Sequence, residues 1–132
     1  MAMAQPRSFT RSGWVDRRSQ QRAVDRVADQ VNVQAASLDL AVTALSGGNQ
    51  QKALLGRWLI EPPNMFLIDE PTRGVDVVSI GQIHTLIRQL VAEGMSVLMV
   101  TSEFEEALEL AHRIYVMRDG RVVDHVAAAE AD

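Results

Sequence analysis

Apolar positions along the chain fall into two regimes. Val24, Val27, Ala28 and Val31 follow the i, i+3, i+4, i+7 rule and predict an amphipathic helix, with Asp16 placed to cap it. Leu54, Leu55, Trp58 and Leu59 predict a second helix over about residues 50–60 that buries those four side chains. Ser46 is its natural N-cap, and Glu61-Pro62-Pro63 stops it because a residue before proline avoids helical geometry. Beyond residue 64 the pattern changes. MFLID (Met65–Asp69) and SVLMVT (residues 96–101) are short, continuous apolar runs of the kind that form buried parallel strands. Between them Ile80, Ile83, Ile87, Leu90 and Val91 share a helix face, which Gly94 closes at the C′ position. A short helix with Phe104, Ala107, Leu108 and Ala111 inward comes next. RIYVM and VVDHV then flank Asp119-Gly120, a hairpin-turn signal. The alternation implies an α/β chain: a mostly parallel sheet covered on both faces by helices, a helical N-terminal part and a C-terminal hairpin. The expected division is residues 1–63 and 64–132.

Composition narrows the class. The 132 residues suit one domain or part of a larger one, and 47% apolar residues can fill a modest core. There is no cysteine, which excludes a disulfide frame and a thiolate metal site. The opening MAMAQPRSFTRSG lacks the apolar block of a secretory signal, and no run approaches the roughly 18 apolar residues of a membrane span. A soluble, cytoplasmic chain is expected. The net charge of −4 hides an asymmetry: residues 1–30 hold six arginines against three aspartates (+3), and residues 31–132 hold seven basic and fourteen acidic side chains (−7). A basic head can touch nucleic acid or lipid headgroups. The simpler expectation is a solvated helix face with Arg18 and Arg22 paired to Asp25 and Asp29, and no nucleic-acid partner. His84, His112 and His125 lack metal-ligand spacing.

Two clusters carry chemistry. Asp69 and Glu70 end an apolar strand, where α/β proteins open a ligand crevice, and Pro71 fixes the turn behind them. Asp69 can hold Mg²⁺ directly or through water, and Glu70 can orient or deprotonate an attacking water. About twenty residues earlier, Ser46-Gly47-Gly48-Asn49 opens a helix whose unpaired N–H groups favour anions. Asp76 is a further candidate, as the N-cap of the following helix.

These segments together resemble a known family. LSGGNQQKALLGRWL is similar to the signature motif of ABC-type ATPases and its helix, and MFLIDEPTRGVD resembles their Walker B motif and D-loop. VLMVTSEFEEALELAHRIYVMRDGRVV resembles their switch strand, helix and closing hairpin. The resemblance covers residues 43–123 closely and extends back to Phe9. The wording LSGGNQQK and DEPTRGVD is most similar to the second nucleotide-binding domain of ribose and galactose importers. It implies a P-loop NTPase fold, ATP and Mg²⁺ as cofactors, and Ser46, Gly47, Gly48, Asn49 and Asp76 serving nucleotide held by a second domain. It implies Asp69 as the Mg²⁺ residue, Glu70 as the catalytic base, and Ser102 at the switch position where many relatives carry histidine. Implied partners are another nucleotide-binding domain, membrane permease subunits and, indirectly, a periplasmic sugar-binding protein, at the cytoplasmic face of the inner membrane.

The chain departs from the family in one large respect. It has one lysine, Lys52, and no GxxxxGK[ST] motif to cradle phosphates. It is therefore expected to be the last half to two-thirds of a nucleotide-binding domain, without the P-loop strand. By analogy, residues 96–101 and 113–117 would flank the empty place of that strand, and unpaired strand edges favour self-association. An interaction module unable to bind ATP alone is the alternative function. A chromosome-maintenance ATPase shares these motifs, but coiled-coil heptads are missing.

Overall fold

The computed structural model describes residues 9–11, 14–34 and 41–128. Residues 1–8, 12 and 13 of the basic opening stretch and the middle of the connector (residues 35–40) lie outside the described residues. A small antiparallel pair, β1 (Thr10–Arg11) and β2 (Trp14–Val15), leads into α1 (Arg17–Gln30). Asp16 caps α1, its Oδ1 accepting from the N–H groups of Arg18 (3.1 Å) and Ser19 (3.0 Å). Ala23, Val27 and Ala28 face inward, with Val31 just beyond. Asn32, at φ 51, turns the chain out of the helix, and the Val33 N–H closes back on the Ala28 carbonyl at 3.0 Å. The anticipated arginine–aspartate pairs on α1 do not form: Gln21 donates to Asp25 and Arg22 to the Arg18 carbonyl.

After a 3-10 turn at Val42–Ala44, α2 runs from Gly47 to Leu59, three residues earlier than the apolar period suggests, because Ser46 caps it. Its buried strip is Gly48, Lys52, Leu55, Gly56 and Leu59, with Ala53 beside it. Leu54 and Trp58, expected inside, lie on the outer face, and the Arg57 guanidinium stacks 5.4 Å from the Trp58 ring.

β3 (Met65–Asp69), α3 (Val77–Ala92) and β4 (Ser96–Val100) form a parallel crossover unit, Met65 pairing with Ser96 through to Asp69 with Val100. Gly94, at φ 96, ends α3 as anticipated, its N–H bonding the Val91 carbonyl. One core of Val27, Val31, Leu55, Leu59, Phe66, Ile68, Ile83, Leu86, Ile87 and Leu90 joins α1, α2, β3 and α3. Only one face of the β3–β4 pair meets that core. Met65, Leu67, Leu98 and Val100 alternate onto the other face and stand exposed, Leu67 at 70%.

α4 (Phe104–Leu110) packs on α3, and Phe104, expected inward, is exposed. β5 (Arg113–Arg118) and β6 (Arg121–Ala127) form the hairpin, with a bulge at Val116/Met117 and positive φ at both Asp119 and Gly120. The fold is α/β as anticipated, and among the described residues parallel pairing joins β3 to β4. β4 and β5 lie in separate sheets among the described residues. An open apolar face beside a strand edge unpaired among the described residues is expected to make the isolated chain self-associate. Sedimentation is expected to show that association, reduced by Leu67→Lys.

Candidate functional site

The first cluster gathers where two helix N-termini meet. Ser46 Oγ accepts from the Asn49 backbone N–H (3.4 Å) and from Asn49 Nδ2 (3.0 Å), while Asn49 Oδ1 accepts from the Gln34 N–H at 2.9 Å. The Asn49 side chain thus braces Ser46 against the segment that follows α1, and Ser46 and Gly47 stay exposed. Gly48 is buried against α3. A Cβ there would sit 2.1 Å from Ser79 Oγ and 2.3 Å from Ser79 Cβ, so only glycine allows this approach. A Cβ at Gly47 would lie 3.2 Å from the Gly74 carbonyl oxygen. Asp76 caps α3, accepting from the Ser79 N–H (3.0 Å) and hydroxyl (2.8 Å). Those bonds, the hydroxyl's first, hold its carboxyl below the usual carboxylate range. Ser46, Gly47, Gly48, Asn49 and Asp76 are therefore one cluster, with the positive ends of α2 and α3 beside each other.

Lys52 locks this arrangement from below. It is 3% exposed, and its Nζ donates to the Asn32 carbonyl (2.6 Å) and to Gln82 Oε1 (2.8 Å), tying α1, α2 and α3 together. Burial lowers its pKa, opposed by the Asp76 charge. The unfolded chain then binds more protons than the native one as the pH climbs toward about 10.4, so Lys52's contribution to stability grows with pH over that window. The neutral amine keeps a hydrogen for each of its two partners. Chemical denaturation across the alkaline range is expected to show that rise, and its loss in Lys52→Met.

The second cluster forms at the end of β3. The Glu70 N–H extends the ladder to the Val100 carbonyl (2.8 Å), and its Oε1 accepts from the Ser102 N–H at 3.1 Å. Glu70 takes a positive φ of 46, a conformation that costs a residue with a Cβ about 1–2 kcal/mol and that often marks functional positions. Asp69 is exposed and engaged by no side chain among the described residues. Ser102 meets Glu70 through its backbone, leaving its exposed hydroxyl clear. The 70–76 turn links the two clusters: the Arg73 N–H donates to the Glu70 carbonyl (3.3 Å), the Val75 N–H to the Thr72 carbonyl (3.1 Å), and Gly74 backs Gly47.

Sequence reasoning missed Ser79 and Lys52 as parts of the first cluster. It also assigned His84 no role. His84 is buried between Glu106 and Glu109 of α4, and its position among Ile80, Ile83 and Ile87 was the available signal. No helix among the described residues is long and apolar enough to cross a membrane.

A family model described as ABC transporter matches residues 2–73. The ribose import ATP-binding protein RbsA 2 of Streptomyces coelicolor is 43% identical over 125 residues, 95% of this chain and 24% of that protein. A putative ribose/galactose/methyl galactoside import ATP-binding protein of Hahella chejuensis is 40% identical over an equally large share. The chain spans about a quarter of the length of these curated relatives. The dimeric, post-hydrolysis ATP-binding cassette MJ0796 bound to ADP and Pi shares the fold, with a TM-score of 0.78 and 24% identity over 92% of this chain and 52% of that one.

Proposed function

This chain belongs to the ABC transporter family, and on that premise we propose that it supplies the signature loop, Walker B acids and D-loop of an ATP-hydrolysing cassette that drives sugar import. The observation that carries this reading is the seat of the α2 N-terminus on Gly74 and Ser79, with Glu70 and Ser102 at the start of the 70–76 turn. Residues 1–63 contribute the signature arm and residues 64–132 the Walker B, D-loop and switch arm.

The two clusters serve different nucleotides. Ser46, Gly47 and Gly48 present a hydroxyl and helix N–H groups to the γ-phosphate of ATP held by the P-loop of a second nucleotide-binding domain. Asn49 holds Ser46 in place for that contact. Asp76, with the exposed Val77 and Val78 next to it, lies along the seam between the domains. Asp69 and Glu70 act instead on nucleotide held by the P-loop of their own cassette. A single unengaged carboxylate suits Mg²⁺, which binds through one or two carboxylates plus substrate phosphates rather than in an all-protein cage. Asp69 would hold that ion, whose charge offsets the charge building on the phosphate oxygens. Glu70, one oxygen fixed by the Ser102 N–H, keeps the other to orient a water and take its proton. Ser102 contributes a hydroxyl at the switch position, where an imidazole would offer a titratable nitrogen.

The partners are a second nucleotide-binding domain, permease subunits and, through them, a periplasmic sugar-binding protein. The assembly lies on the cytoplasmic face of the inner membrane. Since the chain has no cysteine, one introduced at Ser46 reports cleanly. It should cross-link to a cysteine in the P-loop of a partner cassette, in higher yield with ATP and Mg²⁺ than without. Yield indifferent to nucleotide would count against the composite site.

A further inference from the structure

The buried group that the proposed chemistry leaves unused is His84. It is 4% exposed, on the inward face of α3. Its Nε2 lies 3.1 Å from Glu106 Oε1 and its Nδ1 3.0 Å from Glu109 Oε2. Glu106 and Glu109 are three apart on α4 and so share a face. Arg88, one turn beyond His84, donates to the other oxygen of Glu109. Together with His84, Arg88 lowers the Glu109 carboxyl below its usual range, the Arg88 bond being the larger influence. A ring carrying a proton on each nitrogen satisfies both carboxylates, and Glu106, His84, Glu109 and Arg88 then alternate in sign across two helices.

α4 has little else to hold it. It is seven residues long, too short to persist alone, and its N-cap Glu103 makes no side-chain cap bond. Phe104 is exposed, and of its apolar residues Leu110 packs at the edge of the core. The head of this helix is two residues from Ser102, whose N–H reaches Glu70. His84, Glu106, Glu109, Ser102 and Glu70 also line one cleft of about 670 Å³, with Arg73, Glu103 and Glu105 as its other charged walls. Glu106 Oε2 is buried there without a partner among the described residues, so its carboxylate depends on the His84 contact. Lys52, the other buried charge against α3, is engaged by Asn32 and Gln82 instead.

We propose that His84 is a positioning residue: by gripping Glu106 and Glu109 it fixes α4 on α3, and so holds the Ser102 N–H at the Glu70 carboxylate. The inference deepens the reading of Glu70 and Ser102 given above. Its test needs no nucleotide, so the two can fail separately. Amide hydrogen exchange of the full chain is read at single-residue resolution by mass spectrometry. In His84→Phe, which keeps an apolar ring, exchange at Ser102 and through α4 is expected to rise about tenfold or more, while Leu67 and Leu98 stay within about twofold. His84→Gln, which can still donate to one carboxylate, should fall between wild type and His84→Phe. Unchanged exchange at Ser102, or a rise shared equally by β3 and β4, overturns the proposal. If His84→Phe does not fold, Glu109→Gln on the exposed side carries the same comparison. It should loosen α4 and Ser102 selectively, and the same two outcomes would overturn the proposal.

Discussion

Gly48→Ala is expected to lower the stability of the chain and to displace the signature loop. The added methyl would overlap both Ser79 Oγ (2.1 Å) and Ser79 Cβ (2.3 Å), so α2 and α3 must separate or Ser79 must leave its rotamer. Overpacking of this kind costs about 1–3 kcal/mol. The gain in helix propensity from glycine to alanine, about 1 kcal/mol, does not offset it at a helix start where α3 already fills the space. The displacement also moves Ser46 and Gly47 away from Gly74, so the partner site should lose its γ-phosphate contacts along with the stability. Because both clashing atoms belong to Ser79, adding Ser79→Gly should restore much of the thermal midpoint. Recovery stays incomplete, since Asp76 loses the hydroxyl that bonds it and Asp76 Oδ2 remains 3.3 Å from the new methyl. Thermal unfolding of Gly48→Ala, with and without Ser79→Gly, checks both. An unshifted midpoint in the single variant would refute the close approach of α2 to α3.

Glu70→Gln carries the largest expected effect on chemistry. Glutamine keeps the acceptor oxygen that receives the Ser102 N–H and has nearly the same shape, so the turn and its positive φ should survive. What disappears is the charge and the ability to take a proton. Loss of a positioned general base costs about 10²–10⁴-fold in rate. In a cassette completed by a P-loop-bearing half, kcat for ATP hydrolysis should fall by that factor while ATP affinity changes little. A variant that retained wild-type turnover would remove Glu70 from the chemistry.

Much of this architecture is legible in the sequence because local rules and tertiary structure agree there. Asp16, Ser46 and Asp76 cap helices where their side chains predict it, and Asp119-Gly120 turns the hairpin. The two misplaced side chains of α2 share one cause. On α2 the buried strip contains Gly48, Lys52 and Gly56, which hydropathy ranks as unfit for a core, so Leu54 and Trp58 were assigned inward in their place. Glycine is buried there for close helix approach, and lysine because two acceptors wait for it. Among the described residues a helix layer covers one face of the β3–β4 pair, and the other stands open. Apolar runs specify that a strand is to be buried, and do not specify by which segment; Leu67 and Leu98 pair with each other and stay exposed. The grip of His84 on Glu106 and Glu109 spans 22 and 25 residues, beyond the reach of any periodicity. The candidate site itself was legible as motifs. That Gly48 rests on Ser79, and that Glu70 touches Ser102 through the backbone, required the fold.

The central claim is that this chain holds half of an ATP site and completes it with a P-loop supplied from elsewhere. ATP hydrolysis measured for the chain alone, and for the chain joined to a P-loop-bearing half cassette, tests it most directly. The account predicts no ATP binding or turnover by the chain alone, and turnover by the joined protein that Glu70→Gln abolishes. Micromolar ATP binding by the isolated chain, or a folded joined cassette that never hydrolyses ATP, would contradict it.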